Sequence, residues 1–257
     1  MNKFKPNSGK NEPVIVINRL FKSFANSKVL DGIDLELNKG ENVAVLGRSG
    51  SGKSVLIRII IGLLRQDKGT VRVLGKQLRQ LKTKELNALR LHIGFSFQNS
   101  ALYDSMNVFQ NIAFPLTMNV KNLSKKEVKN KVEEVLESVG LGDKIYEMPS
   151  DLSGGQCKRI GIARTLILKP QIMLYDEPTS GLDPVTSAEI NELILNLQQQ
   201  YNTSSLIITH DLTCAKTTSN RIALLNEGRF LKVGNFDDVF KSDNKHIKSF
   251  FDYNFIQ

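Results

Sequence analysis

Hydrophobic and polar positions change period several times along this 257-residue chain. Residues 14–17 form a short apolar run, which reads as a strand. Over residues 29–37 apolar and polar positions alternate, with Ile33, Leu35 and Leu37 on one side, the pattern of a strand with one face in solvent. Residues 42–46 read as a buried strand that runs directly into a glycine-rich segment, and a helix is expected from 53 to 64. Val71 and Val73 belong to another short strand, ended by Gly75.

The middle of the chain shifts to helical spacing. Ser124 and Glu127 form a capping box, in which hydroxyl and carboxylate satisfy free amides at a helix start. Val128, Val132, Val135, Leu136 and Val139 then recur at helical intervals until Gly140. Apolar runs at 172–175, 206–209 and 222–225 read as strands, with helical patterns such as 187–200 between them. Strand alternating with helix predicts an α/β fold with a mostly parallel sheet and helices on both faces.

Composition narrows this little. Hydrophobic residues make up 40% and charged residues 24%, a globular balance and not that of a disordered chain. The net charge of +9 suits nucleic acid, an anionic membrane surface, phosphate-bearing ligands or simply a solvated basic face, and does not choose among them. Cys157 and Cys214 show no metal-ligand spacing and read as reduced thiols. His92 and His246 have no partner pattern. Residues 1–12 are polar and are expected to form a disordered leader. The most apolar stretch, 55–64, is interrupted by Arg58 and falls short of the roughly 20 residues a membrane span needs. The chain is therefore expected to be soluble, with any role in crossing a membrane left to a spanning partner.

The chemistry is concentrated in three segments. Gly47, Arg48, Ser49, Gly50, Ser51, Gly52, Lys53 and Ser54 fit G-x-x-x-x-G-K-[ST] in full, between a strand and a helix. Glycines let the backbone wrap a phosphate with its N–H groups pointing inward, and the following helix aims its positive end at the same anion. Lys53 would reach the β- and γ-phosphates of a nucleotide and Ser54 would offer its hydroxyl to Mg²⁺. The strand at 172–175 leads into Asp176 and Glu177, which suit water-mediated Mg²⁺ binding and polarisation of an attacking water. Leu152, Ser153, Gly154, Gly155 and Gln156 precede a helix and offer a second anion site at its N-terminus.

In this order the segments resemble ATP-binding cassette (ABC) proteins over residues 14–240, with Leu152 to Gln156 matching the LSGGQ signature of that family. The resemblance implies a P-loop NTPase (RecA-like) core with an antiparallel β subdomain and an inserted helical subdomain. The cassette would occupy residues 13–242, with the helical subdomain at about 99–168 and an aromatic tail at 243–257. It implies ATP and Mg²⁺ as cofactors, with Ser54, Gln98 and Asp176 at the metal and Gln98 as the Q-loop residue. Catalysis would fall to Glu177 and His210, assisted by Gln98. Phe24 would stack on adenine, with Phe21 a neighbour that could be mistaken for it. Asp183 would close the D-loop begun at Ser180. Ser153, Gly154, Gly155 and Gln156 would cap the γ-phosphate held by a second copy, so that ATP is sandwiched between two chains.

Finer resemblance lies in residues 95–116, which are similar to the ATPases of MCE-associated (Mla-type) lipid transporters. That implies transmembrane permease subunits, an MCE-domain substrate-binding protein and a peripheral place on the cytoplasmic face of the inner membrane. Methionine importers and other small-molecule systems carry looser versions of the same stretch. Leu102, Tyr103, Met106, Val108, Phe109, Phe114 and Leu116 either pack within the helical subdomain or leave a groove for a permease helix. Phe250, Phe251, Tyr253 and Phe255 are expected to pack on the chain itself or on a second copy. Cys157 would face solvent or the seam between copies, with no chemistry assigned. The rival readings are a soluble single-cassette ATPase in cofactor assembly and a nucleotide switch without turnover. No nucleic-acid partner is expected, since neither a second cassette nor a coiled-coil or zinc insertion is present.

Overall fold

The computed structural model describes residues 13–25 and 27–255, with side chains as far as Phe250. The leader expected at 1–12 and the side chains of Phe251, Tyr253 and Phe255 lie outside the described residues.

Two sheets flank a short helix. The first is antiparallel and contains β1 (Pro13–Phe24), β2 (Ser27–Asn38), β4 (Lys68–Val73) and β5 (Lys76–Gln77), in the order β2-β1-β4-β5. The second contains β3 (Asn42–Leu46), β6 (Ile93–Ser96), β7 (Ile172–Asp176), β8 (Ser204–Thr209), β9 (Arg221–Asn226) and β10 (Arg229–Gly234). Its order is β10-β9-β3-β8-β7-β6, parallel throughout except for β10. Helix α1 (Lys53–Ile60) lies between the sheets, burying Leu56, Ile57 and Ile60 with Ile15, Ile17 and Leu20 of β1.

Strand alternation distributes the core. Val43 and Val45 of β3 face the core shared with α1, while Ala44 and Leu46 face α7 (Leu212–Thr218). Ile172 and Leu174 of β7 join the α1 side. Met173 and Tyr175 join a second core built by α3 (Val108–Asn119), α4 (Lys125–Ser138), α5 (Gly154–Leu166) and α6 (Pro184–Tyr201). These helices carry the apolar faces read from 128–139. Val108, Ile112 and Leu116 are buried there, and Leu102 and Phe109 pack against them. Tyr103 stays 46% exposed, edge-on to Phe114 at 5.3 Å between centroids. Phe250, on α9 (Lys245–Phe255), packs with Val239 and Ile247 onto Leu46, Ile222 and Leu224 of its own chain.

Several elements depart from the pattern-based expectation. Strand β1 runs well past residue 17, because its register shifts between Ile17 and Leu20 and Arg19 adopts φ 45°. That bulge hides the alternation a strand would otherwise display. Helix α1 stops at Ile60, not 64. Gly62 takes φ 71°, and the N–H groups of Leu63 and Leu64 turn back onto the Arg58 carbonyl at 2.9 and 3.1 Å, closing the helix end. Helix α2 (Thr83–Arg90) and strand β6 carry too few apolar residues for their periods to be legible.

The strand ends set up the site. Leu46 pairs with Thr209, and Asp176 with Ile208, so β3, β7 and β8 finish level. The residues after them meet on one rim, at the carboxyl edge where parallel sheets bind ligands.

Candidate functional site

The loop after β3 is shaped for close backbone approach. A Cβ on Gly47 would lie 2.5 Å from the Leu225 carbonyl oxygen and 2.7 Å from Ser51 Oγ. Gly52, at φ 105°, precedes α1 without any side-chain cap, so the first N–H groups of that helix stay open to an anion. Lys53 is buried, and its Nζ donates to the Gly47 carbonyl at 2.7 Å and the Arg48 carbonyl at 3.2 Å. The lysine thus folds back over its own loop.

The carboxylate arrives from β7. Glu177 Oε1 lies 3.3 Å from Lys53 Nζ, and its Oε2 lies 2.8 Å from His210 Nδ1. Glu177 holds φ 50° with its N–H donating to the Ile208 carbonyl at 2.8 Å, which ties it to β8 just before His210. A non-glycine residue in the left-handed region persists only where its surroundings impose it. The cleft, of about 270 Å³, is lined by Val29, Val55, Gln98, Glu177 and His210 together with Ser49, Gly50, Gly52, Lys53 and Ser54 of the loop and the start of α1. A second cleft of about 420 Å³ meets it at His210 and runs along Ser180, Leu182 and Pro184.

Asp176 lies beside this cleft. Its Oδ1 is buried without a hydrogen-bond partner among the described residues. Burial and then the neighbouring Glu177 push its pKa up, while Lys53, Arg58 and Lys158 pull it down. Ser51 Oγ is likewise buried and unpartnered. An orphaned carboxylate oxygen near a phosphate loop fits a hydrated Mg²⁺, a cation held by few carboxylates plus nucleotide phosphates. Asp176, Ser54 and Gln98 are the groups that would hold it, and it would supply charge neutralisation for phosphates.

Not every residue singled out from sequence reaches the cleft. Ser153 caps α5, its Oγ accepting from Gln156 N at 3.3 Å while Gln156 Oε1 accepts from Ser153 N at 2.9 Å. Gly154 and Gly155 pack toward Leu182 and Thr186, away from Lys53. Asp183 caps α6, accepting from Val185 N and Thr186 N at 3.0 Å each, and Thr186 lowers its pKa. Phe24 ends β1 and is 45% exposed, with Lys22 Nζ 5.2 Å from its ring centroid. Phe21 instead lies against Gly32 of β2, so Phe24 is the more exposed of the two rings. Arg48 lines a small separate cleft with Asn226, His246 and Phe250. Cys157 is half-buried with Sγ 3.7 Å from the Pro149 carbonyl, and burial raises its pKa. The thiol of Cys214, on α7, is pushed up to about 12 by burial.

One contributor carries no motif signal. Lys158, on α5, is buried, and its Nζ donates to the Gln98 carbonyl and, at 3.3 Å, to the Glu177 carbonyl. Its only sequence mark is a lysine on a helix whose neighbours Ile160 and Ile162 are core residues.

A family model described as "ABC transporter" matches residues 30–180. The chain belongs to the ABC transporter family. It is an ATPase of that class, and its cofactors are ATP and Mg²⁺. The probable ribonucleotide transport ATP-binding protein mkl of Mycobacterium leprae is 38% identical over 236 residues, covering 92% of this chain and 68% of that protein. The methionine import ATP-binding protein MetN of Clostridium acetobutylicum is 39% identical, covering 91% of this chain and 73% of that one. The cassette thus spans about two thirds to three quarters of the length of these relatives. Among solved structures, the dimeric post-hydrolysis state of the ATP-binding cassette MJ0796 bound to ADP and Pi superposes with TM-score 0.78 at 29% identity, covering 86% of this chain and 98% of that one. CbiO1 from Clostridium perfringens, part of the ABC transporter complex cbiONQ, gives 0.83 at 29% identity, covering 90% and 91%. The fold expected from sequence, a P-loop core with an antiparallel β subdomain and a helical subdomain, is the one observed.

Proposed function

We propose that this chain is the ATP-hydrolysing motor subunit of an ABC transporter, working as a pair of copies that sandwich two ATP–Mg²⁺. The observation that carries the reading is the convergence of Lys53, Glu177 and His210 in one cleft, with Glu177 reaching Lys53 Nζ at 3.3 Å and His210 Nδ1 at 2.8 Å. A γ-phosphate entering the cleft would compete with Glu177 for Lys53, freeing the carboxylate to orient water while His210 supports the phosphate. Catalysis is then mainly positioning and charge stabilisation. Phe24 offers its open face to the adenine. Ser153, Gly154, Gly155, Gln156 and Asp183 lie off the cleft and serve the nucleotide of the facing copy. The dimeric MJ0796 structure supports this pairing.

Among the described residues no helix is long and apolar enough to cross a membrane, so transport calls for permease subunits that place this chain on the cytoplasmic face of a membrane. Phe97 and Tyr103, 44% and 46% exposed, lie in or beside the stretch that resembles lipid-transport ATPases and suit an apolar permease contact. On that resemblance the cargo is a phospholipid or related hydrophobic compound, with an MCE-domain protein as a further partner. A second reading, import of a small polar solute, is favoured by the relatives named for methionine and ribonucleotide transport. Mild-detergent purification of the complex with mass spectrometry of its proteins and bound small molecules separates the two. Co-purified phospholipid with an MCE-domain protein supports the first, and a soluble solute-binding protein supports the second. Steady-state phosphate release by the purified chain, with and without its permease, tests the motor itself, and absence of turnover in both settings would refute it.

A further inference from the structure

Lysine is rarely buried unless paired, yet Lys158 is only 8% exposed. Its ammonium is satisfied by two backbone carbonyls, one from Gln98 and one from Glu177. Both carbonyls sit just past strand ends, Gln98 after β6 and Glu177 after β7, where no sheet ladder holds them. The same two residues are joined a second time through Ser180. Its N–H donates to the Glu177 carbonyl at 3.2 Å, and its Oγ accepts from Gln98 Nε2 at 3.1 Å. Lys158, Gln98, Ser180 and Glu177 thus close a ring around the back of the cleft. Burial lowers the lysine's pKa, and the carboxylates of Glu177 and Asp176 oppose that shift.

The helix that presents Lys158 begins at Ser153. One rigid element therefore carries, at its tip, the group assigned to the facing copy's nucleotide and, little more than a turn further on, a cation on this copy's own Gln98 and Glu177. Glu177 at φ 50° depends on its neighbours to keep that conformation, and Lys158 is one of them. We propose that Lys158 is a positioning residue for hydrolysis, which fixes the Gln98 and Glu177 backbones relative to each other and passes movement of the α5 tip to both. The inference rests on the hydrolytic reading of the cleft. Lys158 does not line the cleft, so it acts on the aim of Glu177 and not on nucleotide contact.

The test compares Lys158→Met, which keeps length but removes the charge and both hydrogen bonds, with Lys158→Gln, which keeps one donor group. The full chain is assayed for kcat and KM with ATP–Mg²⁺, for ATP affinity by calorimetry and for Tm. Lys158→Met is expected to lower kcat about tenfold to a hundredfold, because small misplacements at a reacting centre are costly. KM and affinity should stay within about threefold, and Lys158→Gln should fall between Met and wild type. Turnover by Lys158→Met within about twofold of wild type overturns the proposal. So does a parallel loss of ATP affinity, kcat and Tm in both variants, the mark of a purely structural lysine. If Lys158→Met does not fold, the same division of kcat from affinity in Lys158→Gln decides. A wild-type chain that binds ATP but never turns it over sinks the hydrolytic reading, whereas an active wild type with an unimpaired Lys158→Met sinks this proposal alone.

Discussion

Helices α1 and α5 both begin at glycine-rich turns, but their N-termini are finished in opposite ways. Gly52 at the start of α1 supplies no side-chain cap, and its free N–H groups open into a cleft with Lys53, Glu177 and His210. At α5 the Ser153–Gln156 capping box is closed on itself, and its glycines pack on Leu182 and Thr186. The first end is assembled for an anion by the chain alone. In the second, Ser153 and Gln156 are tied to each other, so an anion there would come from outside and draw on the remaining N–H groups of the turn. That contrast is what an ATP-sandwich dimer requires: one half-site built within each copy, the other borrowed.

Substitutions can break the contrast. Lys53→Ala should have the largest effect, lowering kcat/KM for ATP by about a hundredfold to a thousandfold, read by phosphate release. Near-normal turnover would mean that the α1 end is not the phosphate site. Glu177→Gln should lower kcat by about a hundredfold or more while retaining ATP. Size-exclusion chromatography with ATP–Mg²⁺ should then show a species of twice the mass, and a persistent monomer would refute the sandwich. Ser153→Ala should lose a helix cap worth about 1 kcal/mol, lowering Tm by about 2–4 °C. It should also weaken ATP-driven pairing without changing ATP affinity of the single chain, so a loss of that affinity comparable to Lys53→Ala would erase the distinction between the two ends.

The smaller effects sharpen the metal and base contacts. Asp176 has its pKa raised in the folded chain, chiefly by burial. The folded state therefore holds that proton to higher pH than the unfolded state, and the ionised carboxylate costs stability as pH rises through the raised pKa. Asp176→Asn should accordingly raise the Tm of the nucleotide-free chain at neutral pH and flatten its fall with pH. It should also abolish the extra thermal stabilisation that Mg²⁺ adds to ATP, a linkage effect of ligand binding. An unchanged Mg²⁺ effect in thermal scans would remove Asp176 from the metal site. Phe24→Ala should raise KM for ATP about fivefold, with Phe24→Tyr near wild type, in line with aromatic stacking energies. If Phe21→Ala gave the larger change, the stacking ring would be reassigned.

The legible parts of the site were those where local backbone geometry dictates residue type. Gly47, Gly52 and Lys53 have residue types set by close approach and local hydrogen bonds, so their spacing is readable. Asp176 and Glu177 were legible because a buried strand delivers them. Asp183 and Ser153 were recognised by their motifs, but their local work as helix caps emerges only from the hydrogen bonds they make. Lys158 was not legible at all, since its partners lie 60 and 19 positions away in sequence. Among the elements, β1 was shortened by the bulge at Arg19 and α1 lengthened past Gly62. At Arg19 a positive φ broke the alternation of a strand that continues, and past Ile60 the positive φ of Gly62 closed a helix that the apolar run would have extended.

What the sequence by itself determined is the phosphate loop, the acidic strand end, the alternation of strands with helices and the family. Each depends on contacts within a few residues, where geometry dictates side-chain type directly. Only the tertiary structure decided which strand ends are level, that Glu177 spans from Lys53 to His210, that Phe24 and not Phe21 is the more exposed ring, and that Lys158 ties Gln98 to Glu177. Those contacts join segments brought together by the sheet order β9-β3-β8-β7-β6. Burial and register are properties of packed neighbours, and distant neighbours leave no periodic trace in the chain.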